Sequence, residues 1–186
     1  MSARISGGKE RGRRLRSPKG TGIRPTSERV RAAVFSILGP AVEGAKVLDI
    51  YAGTGAFGIE ALSRGAAWAD FVEADERHCQ AIRLALRDLD MVDKAKVYRA
   101  KAERALEILP GGYDLVFADP PYEQDPWDEF LGRMGYGNTL NAGASVVAEH
   151  RHTRILKDEY GPLKVVTRRR YGDSAATIFH AEAHHD

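Results

Sequence analysis

Four consecutive residues, Asp119-Pro120-Pro121-Tyr122, have the most distinctive chemistry in the sequence. Each proline fixes its own φ angle, lacks a backbone donor and pushes the preceding residue toward extended geometry. The backbone carbonyl groups of such a loop can therefore point into a pocket. Because the acid can accept a hydrogen bond from an amine and the ring can stack on a flat partner, the tetrapeptide suits an exocyclic amino group on a nucleobase.

A glycine-rich turn lies upstream, between an apolar run that begins at Lys46 and a helical pattern. Gly53, Gly55 and Gly58 match the spacing of the dinucleotide-binding fingerprint. Glu73 follows Gly53 by 20 residues and ends a second apolar run. A carboxylate at that distance accepts hydrogen bonds from ribose hydroxyls. The strand, turn, helix and acid together indicate a nucleoside-containing cofactor.

The charge next to this turn indicates which cofactor binds. A pyrophosphate would need bare backbone amides at the helix N-terminus, whereas Asp49 stands four residues before Gly53. An acid there suits a cationic ligand, and S-adenosylmethionine carries a sulfonium and an amino group. The stretch from Asp49 to Gly55 resembles motif I of class I methyltransferases. Together with Asp119-Pro120-Pro121-Tyr122 after a fourth strand, it resembles the amino-methylating branch of that superfamily.

The N-terminal segments narrow the resemblance. The stretches 4–15 and 22–31, and Leu62-Ser-Arg-Gly-Ala66, are similar to the RsmD family, whose members methylate the 2-amino group of a guanine in small-subunit ribosomal RNA. The likeness runs from about residue 4 to residue 180. It implies a Rossmann-like class I methyltransferase fold, S-adenosyl-L-methionine as cofactor, and ribosomal RNA within the small subunit or its assembly intermediate as substrate.

The candidate site residues follow from these motifs and from the resemblance. The catalytic candidates are Asp119, Pro120, Pro121 and Tyr122. The cofactor-binding candidates are Thr26, Arg29, Asp49, Tyr51, Ala52, Gly53, Thr54, Gly55, Ala56, Glu73, Ala74 and Ala102. Two positions depart from the usual pattern: Lys101 replaces a small polar residue of the family, and Tyr51-Ala52 replaces the superfamily's commoner Gly-Cys.

The charge of the chain is unevenly distributed. Residues 1–31 contain ten Lys or Arg and two Glu, a net charge of +8, so the total of +2 leaves −6 for the remainder. A basic segment on an acidic body indicates a polyanionic partner. The alternative is a solvated disordered tail. The candidate RNA-binding residues are Arg11, Arg13, Arg14, Arg16, Lys19 and Arg24.

The order of elements predicts an α/β fold with a mostly parallel, doubly covered sheet and an antiparallel end. We expect a basic N-terminal extension over 1–25 with a hairpin around Gly7-Gly8, and a methyltransferase domain over 26–186. The extension is expected to add little apolar surface, so the fold should survive without residues 1–19. Strands are predicted at 46–51, 69–73, 96–99, 114–118, 145–149, 163–170 and 175–181, and helices from about 26 to 38 and at 57–64, 75–89, 102–109 and 126–134.

Composition excludes several classes of protein. A chain of 186 residues favours a single domain with a sound core, and the single Cys79 excludes an internal disulfide. The absence of a long apolar run or a signal peptide predicts a cytoplasmic protein without a membrane span. The histidines, at 150, 152, 184 and 185 among others, do not form a metal set. We expect a monomer without a metal.

Three other functions stay open at this point. An adenine-N6 methyltransferase acting on DNA or RNA would use the same tetrapeptide, although the basic segment and Arg24-Pro25-Thr26 favour the guanine reaction. An NAD-dependent dehydrogenase would explain the three glycines but not Asp119 to Tyr122. A non-catalytic RNA-binding module with the same fold is disfavoured by the intact Asp119.

Overall fold

The protein is described by a computed structural model over residues 3–20 and 27–183. Within these ranges the chain forms the strands β1 (Ala3–Arg4), β2 (Arg14–Leu15), β3 (Lys46–Ile50), β4 (Trp68–Glu73), β5 (Ala95–Arg99), β6 (Tyr113–Ala118), β7 (Leu140–Arg151), β8 (Glu159–Tyr160), β9 (Leu163–Tyr171) and β10 (Ser174–Ala181). β1 and β2 pair with each other, and the other eight strands form one sheet in the order β5-β4-β3-β6-β7-β10-β9-β8.

The sheet divides into a parallel part and an antiparallel part. β5, β4, β3, β6 and β7 run parallel to one another, and β10, β9 and β8 are added to β7 in antiparallel pairs. The predicted α/β fold with a mostly parallel sheet and an antiparallel C-terminal strand is confirmed. The two-residue strand β8 was not predicted, because so short a segment shows no alternating pattern.

The helices cover both faces of this sheet. They are α1 (Glu28–Leu38), α2 (Ala56–Ser63), α3 (Glu76–Asp88), α4 (Ala102–Ile108) and α5 (Trp127–Tyr136), with short 3-10 turns at Gly39–Val42 and Val92–Lys94. Ser27 caps α1, since its side chain accepts a hydrogen bond from the Val30 amide at 3.2 Å. No helix in the described part of the chain is both long and apolar enough to span a membrane.

Two buried clusters lie on opposite faces of the sheet. Residues at alternate positions of a strand, such as Val47 and Leu48 in β3 or Val116 and Phe117 in β6, belong to different clusters. One cluster includes α1, α2 and α3, and the other includes α4 and α5. This layering leaves the carboxyl ends of the parallel strands open between the helices.

Strand β7 is longer than the sequence indicates. We predicted a strand over 145–149, whereas β7 begins at Leu140. Asn141 and Gly143 in this stretch are typical of turns, and Gly143 has a φ of +79°. The side chain of Asn141 donates hydrogen bonds to the Gly112 carbonyl at 3.0 Å and to Asp114 Oδ1 at 2.8 Å. The first residues of β7 have no alternating apolar pattern. These two hydrogen bonds to residues at the start of β6 support the extended conformation instead.

The N-terminal hairpin, residues 3–16, is packed onto the body of the protein. Ala3, Ile5 and Leu15 belong to the same buried cluster as α1 and α2, and Ile5 is 1% exposed. The Lys9 amide donates to the Ser63 carbonyl at 2.8 Å. The expectation that this segment adds little apolar surface is therefore wrong. Its few apolar residues stand among many arginines in the sequence, but they pack into the core of the folded protein.

A buried ion pair fixes the same hairpin to α1 and α2. Glu60 is 0% exposed and lies 3.4 Å from Arg31 Nε. Its two carboxylate oxygens also accept hydrogen bonds from the amide and the hydroxyl of Ser6, at 2.8 and 2.6 Å, and from Arg64 Nε at 3.1 Å. The Arg31 guanidinium also donates to the Arg4 carbonyl. Removing the hairpin would take Ser6 from Glu60 and the Arg4 carbonyl from Arg31. The loss of partners from a buried ion pair lowers the stability of the fold.

Candidate active site

An acidic residue stands near the carboxyl end of each of four adjacent strands. Glu73 ends β4, Asp49 is the penultimate residue of β3, Asp119 follows β6 and Glu149 lies near the end of β7. Since these strands are parallel neighbours, the four side chains lie along one edge of the sheet. All four line one cleft of about 1280 Å³. Ligands of doubly wound sheets bind beyond this edge.

The turn after β3 forms one wall of the cleft. Tyr51 and Gly53 have φ angles of +60° and +56°, which is an uncommon conformation for a tyrosine. The Gly53 amide donates to Glu73 Oε2 at 2.7 Å, and the Asp75 amide donates to Oε1 at 2.9 Å. Glu73 therefore fixes the shape of the turn while it lines the cleft. The turn residues that line the cleft are Tyr51, Ala52, Gly53, Thr54 and Ala56.

The other two glycines of the fingerprint are used for packing. Gly55 does not line the cleft: a Cβ atom there would lie 3.0 Å from the Cγ1 atom of Ile82. At Gly58 a Cβ atom would lie 2.4 Å from Cε1 of Phe71, so α2 packs directly against β4. The positive φ of Gly55 and its close packing serve the turn itself, and its place among the cofactor-binding residues stays a prediction.

Asp49 is the most deeply buried of the four acids. It is 3% exposed, and its Oδ2 accepts a hydrogen bond from the Gly58 amide at 2.9 Å. Burial raises the pKa of Asp49 well above its usual value, and the charges of Asp119 and Glu73 act in the same direction, against the Gly58 bond. A cation in the cleft would offset this repulsion. The acids therefore fit a ligand that carries a sulfonium and an ammonium group.

Tyr51 adds an aromatic surface and a buried hydroxyl. Its ring packs edge-on against Phe130, with centroids 6.1 Å apart. The hydroxyl oxygen is buried without a hydrogen-bond partner among the described residues. Burial, followed by the charges of Glu103 and Glu129, raises the pKa of Tyr51 to about 12. The hydroxyl therefore stays protonated at neutral pH and available as a donor.

Further cofactor candidates come from three other segments. Ala74 after β4 and Ala102 at the start of α4 both line the cleft. Arg29 in the first turn of α1 is exposed and also lines it. Lys101 lines the cleft beside Ala102. The remaining candidate, Thr26, lies outside the described residues.

The loop after β6 forms the other end of the cleft. Asp119, Pro120, Pro121 and Tyr122 all line it. The guanidinium of Arg151 lies over the Tyr122 ring, 4.9 Å from its centroid. A second, smaller cavity of about 250 Å³ adjoins the same loop, between Pro120–Tyr122 and the end of β7. The loop therefore presents an acid and a flat ring at the mouth of the cleft.

Comparisons with known proteins identify one family. A family model described as Conserved hypothetical protein 95 matches residues 3–180. Ribosomal RNA small subunit methyltransferase D of Escherichia coli strain K12 is 40% identical to this chain over 146 residues, which cover 78% of this chain and 73% of that protein. The chain belongs to the RsmD family of methyltransferases.

Solved structures share the fold of this RsmD-family chain. The structure of yhhF from Escherichia coli has a TM-score of 0.86 at 31% identity and covers 99% of this chain and 100% of that one. An RNA methyltransferase from Salinibacter ruber in complex with S-adenosyl-L-homocysteine has a TM-score of 0.67 at 13% identity, covering 88% of this chain and 97% of that one. The latter likeness is one of fold alone.

Sequence reasoning missed one wall of the RsmD-family cleft. Glu149 near the end of β7 and the tip of the β9–β10 hairpin, from Arg170 to Ser174, line it. The register places Arg151 opposite Ser174, and Ser174 opposite Tyr171. The sequence shows a basic group at 168–170, but only the antiparallel pairing brings its last residue, Arg170, to the cleft.

Five candidate RNA-binding residues lie on the exposed surface of the hairpin and of the segment that follows it. Arg11, Arg13, Arg14, Arg16 and Lys19 are all exposed. Arg13 pairs with Glu10 at 3.3 Å and donates to the Asp88 carbonyl at 3.4 Å. Arg24 lies outside the described residues. Because the hairpin packs against α1 and α2, its backbone holds the basic side chains in a fixed position relative to the rest of the protein.

The histidine at the end of β7 has structural partners. His150 is buried; its Nε2 lies 2.8 Å from the Thr177 hydroxyl and its Nδ1 lies 2.8 Å from the Arg151 carbonyl. His184 and His185 lie outside the described residues. Within residues 3–20 and 27–183, no group of three or more His, Cys, Asp or Glu side chains is arranged to hold a metal ion.

Proposed function

We propose that this protein transfers a methyl group from S-adenosyl-L-methionine to the 2-amino group of a guanine in small-subunit ribosomal RNA. One observation carries the proposal: β3 and β6 are adjacent, so the glycine turn and the Asp119–Tyr122 loop face one cleft. Family membership supports the same reaction. The substrate would be the small subunit or its assembly intermediate, the protein would act as a monomer, and no metal would take part.

The β3–β4 half of the cleft would hold the cofactor. Glu73 would accept hydrogen bonds from the ribose hydroxyls. Asp49 would meet the methionine amino group, whose positive charge would offset the repulsion between the buried Asp49 carboxylate and the charges of Asp119 and Glu73. Ala74 and Ala102 leave room for the adenine ring, and Tyr51 can donate its hydroxyl proton. Arg29 would close this half from the side of α1, and Thr26 stays a candidate cofactor-binding residue.

The β6 loop would orient the target amine. The 2-amino nitrogen of guanine is a poor nucleophile, because its lone pair is delocalised into the ring. Asp119 and the Pro120 carbonyl can each accept one N–H bond and hold the nitrogen pyramidal. The bound cofactor supplies an activated methyl carbon, which the nitrogen lone pair takes while the C–S bond electrons remain on sulfur. The nitrogen then loses one proton, which Asp119 can pass to water.

Positioning would supply most of the rate. Holding the amine in line at about 3–3.5 Å from the methyl carbon makes the reaction effectively unimolecular, so the two groups need not meet by diffusion. Pro121 stiffens the loop, and Tyr122 would stack on a base that has left its helix. Asp119 would also stabilise the positive charge that develops on nitrogen.

A direct test measures the product. The purified protein is incubated with methyl-labelled S-adenosylmethionine and with small-subunit RNA or particles from a strain that lacks this methyltransferase. The RNA is then digested and its nucleosides are separated by mass spectrometry. We expect labelled N2-methylguanosine. Labelled N6-methyladenosine would identify the adenine reaction instead, and binding of NAD without S-adenosylmethionine would overturn the cofactor.

The basic N-terminal extension, residues 1–25, would bind RNA phosphates beside the methyltransferase domain over 26–186. Because the hairpin carries core residues, it is tested by neutralisation rather than deletion: Arg11, Arg14, Arg16 and Lys19 are changed to Gln. Each lost phosphate contact should reduce the log–log salt slope of RNA binding by about 0.7–0.9. The matched control neutralises Arg83, Arg87, Lys94 and Lys96, which are exposed outside the cleft. Equal salt slopes of RNA binding in the two variants would show that the neutralised N-terminal charges contact solvent and not RNA phosphates.

A further inference from the structure

Glu149 is a buried acid at the boundary between two cavities. It is 5% exposed, and it lines both the main cleft and the smaller cavity beside the Asp119–Tyr122 loop. A carboxylate buried to this degree is uncommon in proteins. Neither the glycine turn nor the tetrapeptide motif accounts for its presence.

The strand register places Glu149 beside the proposed catalytic acid. Ala118 in β6 pairs with Ala148 in β7, so the next residues, Asp119 and Glu149, are level with each other. Phe117 and Val147, two residues earlier, pair with each other and belong to the same face cluster. Since side chains alternate along strands, Asp119 and Glu149 continue on that face. Adjacent strands lie about 4.8 Å apart, which suits two acceptors that meet neighbouring atoms of one ligand.

Guanine carries two neighbouring kinds of donor on its Watson–Crick edge, the ring N1–H and the 2-amino group. Adenine has an unprotonated N1, which is an acceptor, next to its amine. A carboxylate beside the amine site therefore attracts guanine at N1 and repels adenine. The tetrapeptide alone cannot distinguish the two bases, because Asp119 and Pro120 contact only the amine.

We propose that Glu149 determines the base specificity of this enzyme by accepting the N1–H bond of the guanine whose 2-amino group meets Asp119. The inference rests on the proposed function and assigns the residue that selects guanine at that site. Tyr122, under the Arg151 guanidinium, would provide the stacking surface that holds the ring in the plane of both acids. A site built to accept a donor typically rejects an analogue that lacks it by about 10⁴-fold.

The first test uses the wild-type enzyme and needs no variant. Once the methylated position has been mapped, it is replaced by 2-aminopurine, which keeps the 2-amino group but has an unprotonated N1. We expect single-turnover methylation of the 2-aminopurine substrate to fall by at least about 10²-fold relative to guanine. We also expect weaker binding of that RNA in the presence of S-adenosylhomocysteine. Equal rates and equal affinities for the two bases would overturn the inference.

The second test replaces the charged, acceptor-only carboxylate by a neutral amide that can also donate. In Glu149→Gln the side-chain amide keeps the shape of the glutamate and can donate to the unprotonated N1 of 2-aminopurine. We expect methylation of guanine to fall and methylation of 2-aminopurine to rise, so that their ratio changes by at least about 10-fold. The matched control is Glu159→Gln, an exposed acid on β8 outside both cavities, which should leave the ratio unchanged.

The results separate this inference from the proposed function. If wild-type protein forms no N2-methylguanosine, the proposed function fails. If it methylates guanine but Glu149→Gln keeps the wild-type ratio of guanine to 2-aminopurine, only the role of Glu149 fails. Binding of S-adenosylhomocysteine, measured by calorimetry, shows whether the variant is folded. If the variant does not fold, the wild-type comparison of guanine with 2-aminopurine decides whether the inference holds.

Discussion

The two halves of the cleft are built differently. In the β3–β4 half, the acids are bonded to the backbone: Glu73 holds the Gly53 and Asp75 amides, and Asp49 holds the Gly58 amide. In the β6–β7 half, the wall consists of side chains at strand ends, with Tyr122 under Arg151. Changes to the acids of the first half alter the glycine turn, whereas changes in the second half alter side chains at the ends of strands.

This contrast suits the two kinds of ligand that we propose. A cofactor that is the same in every turnover can be bound by a rigid backbone turn. A target base is selected among similar bases, and strand ends that line a cleft allow selection by single side chains. The comparison predicts that changes in the two halves separate cofactor binding from methyl transfer.

The largest expected effect is in the β6–β7 half. Asp119→Ala should reduce single-turnover methyl transfer by at least about 10²-fold, by analogy with the loss of one positioned group at a reacting centre. The affinity for S-adenosylmethionine, measured by calorimetry, should stay within a few-fold. Asp93→Ala, an exposed acid in the 3-10 turn before β5, is the control. An unchanged single-turnover rate would remove Asp119 from the mechanism.

The converse effect is expected in the β3–β4 half. Glu73→Ala removes the proposed ribose acceptor and leaves the Gly53 amide without its 2.7 Å bond. A lost partner of this kind costs about 1–3 kcal/mol, so cofactor affinity should fall by roughly 10- to 100-fold. At saturating cofactor the methyl-transfer rate should largely recover. Glu107→Ala, exposed near the end of α4, should bind the cofactor normally; a comparable loss there would refute the assignment.

A pair of glycine substitutions tests whether the β3–β4 half depends on backbone packing. Gly58→Ala would place a Cβ atom 2.4 Å from Phe71, and such overpacking costs about 1–3 kcal/mol of stability. Gly132→Ala in α5 meets no atom within 4 Å and should be neutral or stabilise the helix by roughly 0.5–1 kcal/mol. Chemical denaturation measures both. Equal stabilities of the two variants would show that α2 can move away from β4.

Much of the fold was predictable because its signals are local. Alternating apolar runs, the glycine turn and the caps gave the parallel strands and their helices close to the observed bounds. The extension of β7 to Leu140 and the strand β8 were missed, since hydrogen bonds of Asn141 and pairing with β9 support them. The docking of the N-terminal hairpin was also missed, because the partner of Ser6 is Glu60, 54 residues away.

The sequence by itself determined which chemistry this protein could perform, because motifs such as Asp49 to Gly55 and Asp119 to Tyr122 combine adjacent residues whose local geometry is set by glycine and proline. Only the tertiary structure decided which residues meet. Strand order placed Glu149 level with Asp119, and antiparallel pairing brought the β9–β10 tip to the same cleft. Register depends on pairing between distant segments, and no local pattern encodes it.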